Sequence, residues 1–147
     1  MKARTHEFAV GVIHFVRTIP DRTDTRRPKD QLVGAALGLD GNWRAACRAR
    51  THKEFTGKLG VVAEEADEAE EWLDVISDAR LSEGDELTRL QRESKELRAI
   101  FTKASRTASD NERADQERRK GGKAGRRKGQ NDGRRNGIRE ERGRGDQ

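Results

Sequence analysis

The chain has 147 residues, enough for one domain with an appendage. Charged residues make up 40% of it, and no stretch approaches the roughly 20 apolar residues that a membrane-spanning helix needs. Its single cysteine excludes an internal disulfide framework and a cysteine-based zinc cluster.

The first predicted helix begins near the capping residue Thr5 and ends before Pro20. Its apolar residues recur at helical spacing on one face: Phe8, Val12, Phe15, Val16 and Ile19. The segment is basic and then apolar, as in a signal peptide, but His14 and Arg17 interrupt the apolar run and no small-residue cleavage site follows. We therefore expect a soluble cytoplasmic protein.

A second helix is predicted to begin near Lys29, after a loop with the sequence DRTDTRRP. Its inward residues form two groups: Leu32, Val33 and Ala36, then Trp43, Ala46 and Cys47. The sequence Gly-Leu-Asp-Gly at residues 38–41 is expected to weaken or kink the helix between them, because glycine is a poor helix former. Cys47 is expected to be a small buried residue rather than a reactive thiol.

The third and fourth helices have the clearest apolar periodicity. Thr51 and Glu54 form a capping box, T-x-x-E, that predicts the start of the third helix. Its stripe is Phe55, Leu59, Val62, Ala66, Ala69, Leu73 and Ile76, widened by Trp72. Ser82 with Asp85 is expected to cap the fourth helix, whose stripe is Leu87, Leu90, Ser94, Leu97, Phe101 and Ala104. Two such helices joined by a short turn are typical of an antiparallel pair.

These four elements predict an all-α fold, an antiparallel up-down four-helix bundle, over residues 1–110. Gly57 and Gly60 lie inside its third helix, where each costs about 1 kcal/mol relative to alanine. Small residues one turn apart usually permit a close helix approach. The approach could be to a neighbouring helix of the bundle or to a second protomer.

Residues 111–147 form a different kind of segment. They contain 13 basic and 7 acidic residues, a net charge of +6, together with 8 of the 15 glycines and only three apolar residues. Such a segment cannot bury enough surface to offset its ordering entropy, so we expect a disordered basic tail. Lys/Arg clusters among glycines are typical of an arm that follows a phosphate backbone by charge, although a solubilising extension is the alternative. Its candidate contacts are Arg118, Arg119, Lys120, Lys123, Arg126, Arg127 and Lys128.

A second basic cluster lies within the predicted bundle, in the sequence GNWRAACRARTHKEF at residues 41–55. Its candidate nucleic-acid contacts are Arg44, Arg48, Arg50, His52 and Lys53. Arginine suits phosphate because its planar guanidinium can bind two oxygens at once. The alternative is a salt-bridge lattice with the acidic run at residues 64–74, within one chain or across a subunit boundary. Both interpretations remain open from the sequence.

The segment GNWRAACRARTHKEFTGKLGVVAEEADEAEEWLDVI resembles the central motif of the four-helix bundle proteins encoded in intervening sequences of bacterial 23S ribosomal RNA genes. The matching positions are Asn42, Arg44, Ala45, Ala46, Cys47, Arg48, Ala49, Arg50, Phe55, Lys58, Leu59, Gly60, Glu64, Glu65, Ala66, Asp67, Glu68, Trp72 and Leu73. Glu96, Leu97, Ile100 and Phe101 resemble the fourth helix of that family. The resemblance covers about residues 5–108, and the chain departs from the pattern at Thr56 and Gly57.

The resemblance implies a four-helix bundle and a set of partners. The family is similar to the accessory variability determinant of diversity-generating retroelements, a homopentamer with a basic surface that binds nucleic acid and a reverse transcriptase. It therefore implies a homo-oligomer, a pentamer by analogy, with RNA or DNA and a reverse transcriptase as candidate partners.

The residues themselves do not point to catalysis. The histidines at 6, 14 and 52 do not follow a glutamate by three residues, as a di-iron bundle site would require, and no nucleotide-binding glycine loop is present. We expect no enzymatic activity, no metal and no cofactor. The function expected is a non-enzymatic oligomeric bundle that binds nucleic acid through basic residues. The alternative is a protein-interaction scaffold, for example for a reverse transcriptase, whose arginine and acidic faces make subunit contacts.

Overall fold

The structure, a computed structural model, describes the backbone of residues 1–137 and the side chains of residues 1–125. It contains four helices: α1 (Lys2–Arg17), α2 (Arg26–Ala46), α3 (His52–Asp78) and α4 (Asp85–Gly137). The described residues include no strand. The all-α prediction is confirmed.

Contacts between residues divide the chain into two units, the first formed by Met1–Ser109 and the second beginning at Asp110. We call the first unit the bundle. We call residues 110–137, the part of α4 beyond it, the extension. Residues 138–147 of the predicted tail lie outside the described part of the chain.

Contacts at several levels show that neighbouring helices of the bundle run antiparallel. Between α3 and α4, the Gln91 amide donates to Asp74 at 2.9 Å, while Ser105 lies 3.9 Å from the position a Cβ would take on Gly60. The α4 number rises as the α3 number falls, which defines an antiparallel pair. Helices α1 and α4 show the same relation, because Arg4 pairs with Glu93 at 2.6 Å while Leu90 lies 3.5 Å from the position a Cβ would take on Gly11. Helices α1 and α2 do so as well, with Thr5 bonded to Asp40 at 2.8 Å and Lys29 bonded to the Ile19 carbonyl at 2.7 Å.

The core consists of the apolar stripes that the sequence predicts. Buried members of the α3 stripe alternate spacings of three and four: Leu59, Val62, Ala66, Ala69, Leu73 and Ile76. The α4 stripe includes one polar residue, Ser94, which is 1% exposed and donates its hydroxyl proton to the Gln91 carbonyl at 2.9 Å. That hydrogen bond satisfies the buried hydroxyl within its own helix. Complete burial of a leucine or phenylalanine side chain contributes roughly 1.5–3 kcal/mol, so these stripes hold the four helices together.

The first two helices begin earlier than the sequence predicts. Helix α1 starts at Lys2, and Thr5 is a buried residue within it whose hydroxyl donates to Asp40 of α2 at 2.8 Å. Helix α2 starts at Arg26 because Thr25 organises the preceding loop, accepting from the Arg22 N–H at 2.8 Å and donating to the Pro20 carbonyl at 2.7 Å. The glycines at 38 and 41 do not end α2, which continues to Ala46.

The cap predicted for α3 is confirmed, and the cap predicted for α4 is wrong. Thr51 has extended backbone angles, and its side chain accepts from the Glu54 N–H at 3.1 Å. At the start of α4 the first helical hydrogen bond runs from the Thr88 N–H to the Gly84 carbonyl at 3.2 Å, so the N-cap residue is Gly84 and not Ser82. Gly84 has a φ of 115°, which residues with a Cβ rarely adopt.

At residues 111–125, the helical backbone differs from the disorder predicted for residues 111–147. Helix α4 continues unbroken to Gly137, and the side chains of residues 113–125 are all exposed. Residues 111–120 contain no glycine and are rich in glutamate, glutamine, lysine and arginine, which are good helix formers, and Asp115 precedes Arg118 and Arg119 at the spacing that lets opposite charges pair along a helix. The disorder prediction is based on low apolar content, which does not take helix propensity or side-chain pairing along a helix into account.

The closest approach at a glycine occurs at Gly38, not at the two glycines the sequence singles out. A Cβ on Gly57 would meet no atom within 4 Å, and one on Gly60 would meet only the Ser105 hydroxyl at 3.9 Å. A Cβ on Gly38 would lie 2.7 Å from the carboxyl carbon of Glu65 on α3. The interpretation of Gly57 and Gly60 as a close contact within the bundle is therefore wrong.

We predict that Gly41→Ala and Gly38→Ala differ in their effect on stability. A Cβ on Gly41 would meet no atom within 4 Å, so the alanine should raise the free energy of unfolding by about 0.5–1 kcal/mol through helix propensity alone. Gly38→Ala should gain less, because its methyl group must displace the Glu65 carboxylate. Urea unfolding of both variants measures the difference, and equal gains would mean that Glu65 moves aside without cost.

Candidate nucleic-acid interface

A short turn connects α2 to α3 and presents cations at one end of the bundle. Helix α2 ends at Ala46, and the N–H groups of Arg48 and Ala49 bond to the carbonyls three residues earlier at 3.1 Å each. Thr51 then caps α3, while the Arg50 N–H donates to the Glu54 carboxylate at 3.1 Å. The side chains on the turn itself therefore point away from the apolar stripes of both helices.

Four of the five predicted contacts in this segment are exposed. We call them the basic turn: Arg48, Arg50, His52 and Lys53. Among residues 1–125, no carboxylate oxygen lies within 4.0 Å of their side-chain nitrogens. Their donors are thus open to an external anion. They also lie beside the N-terminus of α3, which is the positive end of that helix dipole.

The fifth predicted contact, Arg44, is committed to an internal partner. Its Nε donates to Asp40 one turn earlier at 3.1 Å, and Asp40 also accepts from the Thr5 hydroxyl at 2.8 Å and has His6 Nδ1 at 3.6 Å. Burial by itself would raise the pKa of Asp40, but the hydrogen bonds from Thr5 and Arg44 bring it below its usual value. Asp40 therefore stays charged at neutral pH and holds Arg44.

Helix α4 carries two further exposed cations beside its contact with Gly60 of α3, and the sequence prediction missed them. Ser105 lies opposite Gly60, close to the start of α3, and Lys103 and Arg106 are exposed on either side of Ser105 in sequence. No carboxylate oxygen of the residues with described side chains lies within 4.0 Å of them. Aligning the α3 and α4 stripes in antiparallel register would have been enough to find them.

The acidic run of α3 pairs with α4 and not with the arginines of the basic segment. Arg98 donates to Glu70 and lies 3.9 Å from Asp67, and Asp74 accepts from Gln91 at 2.9 Å. The salt-bridge lattice proposed within one chain is therefore wrong, since no acid of the run has an ion pair with Arg44, Arg48 or Arg50 and Arg44 bonds along its own helix. A lattice across a subunit boundary stays a prediction.

One member of the acidic run, Glu65, has no ion pair among the residues with described side chains. It is half-buried against Gly38 of α2. Burial raises the pKa of its carboxyl above the usual value, and the neighbouring carboxylates of Glu68 and Glu64 add to the shift. The charged form of Glu65 is thus less favourable in the folded chain than in the unfolded chain.

We predict that Glu65→Gln stabilises the protein in a pH-dependent way. Because the folded pKa lies above the unfolded value of 4.5, the wild type loses stability as the pH rises through the folded pKa. The variant lacks this loss, so its advantage should be smallest below 4.5 and largest at neutral pH. Thermal unfolding from about pH 4 to about pH 8 measures it, with the exposed Glu7→Gln as control. The same pH profile in both variants would contradict the assignment.

The prediction of a buried Cys47 is wrong. The thiol is exposed, because Cys47 is the C-cap residue of α2 and comes directly after Ala46, the last residue of that helix to enter the core. The helical period that places Cys47 on the inward side holds only while the helix continues. Neighbouring Trp43 is half-buried and packs on Phe101 of α4 with ring centroids 5.3 Å apart.

The candidate contacts of the extension fall into two sets. The side chains of Arg118, Arg119, Lys120 and Lys123 are exposed on α4. Arg126, Arg127 and Lys128 have helical backbone, and their side chains lie outside those described. The extension is thus a helical stretch that carries cations and, at residues 113–125, no buried side chain.

Two other kinds of site were sought in the described residues. No group of three or more His, Cys, Asp or Glu side chains there could hold a metal ion. None of the helices, in their described residues, is long and apolar enough to cross a membrane.

A solved structure shares this fold. It is a protein of unknown function from the S23 ribosomal protein family of Bacteroides thetaiotaomicron VPI-5482, with a TM-score of 0.64 and 20% sequence identity. The alignment covers 71% of this chain and 96% of that chain. Searches against protein-family models and against curated proteins gave no match. At this level of identity, the likeness shows a common helical fold.

Proposed function

We propose that this protein is a non-enzymatic four-helix bundle that binds RNA or DNA through the basic turn and the extension. One observation carries the proposal. Arg48, Arg50 and Lys53 are exposed together at one end of the bundle, and no carboxylate oxygen of residues 1–125 lies within 4.0 Å of their side-chain nitrogens, although that part of the chain contains many acidic residues. Because the fold leaves these cations without an ion pair although carboxylates are abundant, they are available for an external anion.

The chemistry of this surface suits phosphate groups. A guanidinium offers two parallel N–H donors to phosphate oxygens, and an ammonium adds a point charge. The N-terminus of α3 contributes a partial positive charge to the same end. Binding of this kind depends on backbone charge, so it should be strongly salt-dependent and only weakly selective for sequence.

We also propose that the chain is a relative of the intervening-sequence proteins, acting as an accessory factor to a nucleic-acid process. Two observations support this. The S23-family structure is covered over 96% of its length by the same arrangement of helices. In addition, the matching residues Asn42 and Arg44 have defined roles in α2, Asn42 donating to the Gly38 carbonyl at 2.8 Å and Arg44 pairing with Asp40.

Charge reversal of the basic turn tests the nucleic-acid proposal. We expect Arg48→Glu, Arg50→Glu and Lys53→Glu together to weaken binding of a fluorescent RNA or DNA duplex by at least tenfold near 0.1 M salt. Each lost phosphate contact should make the slope of log K against log salt shallower by about 0.9. Fluorescence anisotropy across a salt series measures both quantities.

The matched control reverses three exposed cations elsewhere on the bundle, Arg27, Arg92 and Lys95, and so changes the net charge by the same amount. The control should bind much more tightly than the basic-turn variant. Equal losses in both would mean that total charge, and not this surface, governs binding. Unchanged affinity in both would remove the bundle from the interface.

A second candidate function, a protein-interaction scaffold, is favoured by a different surface. Leu37 of α2 is 49% exposed, and Val61 and Val75 of α3 are 38% and 37% exposed. Such side chains on adjacent helices could be covered by a second copy of the chain or by a protein such as a reverse transcriptase. Light scattering on a sizing column distinguishes the candidates when it is applied to the Leu37→Lys and Val61→Lys variants. A fall in particle mass supports the scaffold, and an unchanged mass opposes it.

A further inference from the structure

The extension has a helical backbone and a composition that opposes a helix in water. Residues 118–137 contain nine lysines or arginines, one carboxylate (Asp132) and six glycines. On a helix Lys123 lies one turn from both Arg119 and Lys120, so like charges repel at that spacing. The side chains of residues 113–125 are exposed, and no apolar contact offsets these terms there.

One structural feature makes this helix easier to form than an isolated peptide of the same sequence. Helix α4 is continuous from Asp85 to Gly137, and its first part is packed in the bundle through Leu90, Leu97 and Phe101. The unfavourable nucleation step of helix formation has therefore already taken place, and the extension only has to propagate an existing helix. Its stability then depends on whether the charge repulsion is removed.

We propose that the extension is a coupled folding-and-binding arm, whose helix is marginal in the free chain and becomes stable when the phosphates of a nucleic acid neutralise its cations. This inference rests on the proposed function and states how one part of the chain, the extension, binds the nucleic acid. Phosphates fit because they supply closely spaced negative charges along a continuous backbone, which can neutralise cations on successive helical turns. Binding and helix formation then support one another, as in disordered segments that fold on their partners.

Three glycines allow the arm to be preorganised without new contacts. A Cβ on Gly121, Gly122 or Gly125 would meet no atom within 4 Å, so alanine fits at each position. The triple alanine variant should be more helical without ligand, because alanine is the better helix former. It should also bind three- to tenfold more tightly, since less ordering remains to be done on binding. Ala124→Pro should have the opposite effect, because proline interrupts a helix interior.

The test measures circular dichroism at 222 nm and fluorescence anisotropy on the same samples of the full-length chain, with and without a 20-base-pair RNA duplex. We expect the duplex to add helix signal, up to a limit of roughly the 28 residues of the extension. The triple alanine variant should show a smaller gain with tighter binding. Ala124→Pro should show a smaller gain with binding weakened at least threefold.

The outcomes separate this inference from the proposed function. Tight binding with no gain in helix signal, or affinities that are the same for all three chains, would overturn the folding arm and leave nucleic-acid binding intact. Absence of binding by the wild type would overturn both proposals. An equal gain in helix signal with polyglutamate, at the same charge concentration, would overturn the assignment to phosphate and point to an acidic protein as the partner.

Discussion

The hydroxyl of Thr51 fixes the end of the bundle on which the proposed function depends. By accepting from the Glu54 N–H, it sets the first residue of α3 and keeps its own backbone extended. The chain before it must then form a compact turn after Ala46, so Arg48 and Arg50 lie on neither apolar stripe. A helix continuing through Thr51 would distribute the same cations around its circumference, within reach of neighbouring carboxylates.

The bundle pairs some of its charged side chains with one another and leaves others open to solvent. Asp40 retains Arg44 at the α1–α2 boundary, and Arg98 of α4 neutralises part of the acidic run on α3. These pairs are half-exposed, so solvent screens their attraction and each adds little to stability. Their effect on the remaining surface is larger than their effect on stability, because they determine which cations are left for a ligand.

Local patterns in the sequence predict the helices and the core, because both depend on interactions between residues close in the chain. The stripes from Leu59 to Ile76 and from Leu87 to Phe101 are buried as their spacing predicts. Features that depend on the end of a helix are less predictable: Cys47 lies one residue beyond the last inward position, and Gly84 caps α4 through a backbone angle.

The candidate nucleic-acid interface could be predicted only in part, because ion pairs and hydrogen bonds between helices depend on residues far apart in the sequence. Asp40 precedes Arg44 by one helical turn, so their pairing is visible in the sequence, but nothing local indicates that Asp40 is held by Thr5 of another helix. Lys103 and Arg106 lie beside the first half of α3 only through the register of α3 against α4. The exposure of Arg48, Arg50 and Lys53 is local, and the sequence motif is sufficient to indicate them.

The continuity of α4 also has a consequence for reach. As a helix, the 28 residues of the extension span about 42 Å, whereas the same residues fully extended span roughly 92 Å. An arm that folds on its ligand would thus search a wide volume and then shorten by about half. As the arm folds, it would draw a captured strand toward the bundle. The length of the unfolded arm would then govern the rate of capture, and the length of the helical arm would govern the final position of the strand.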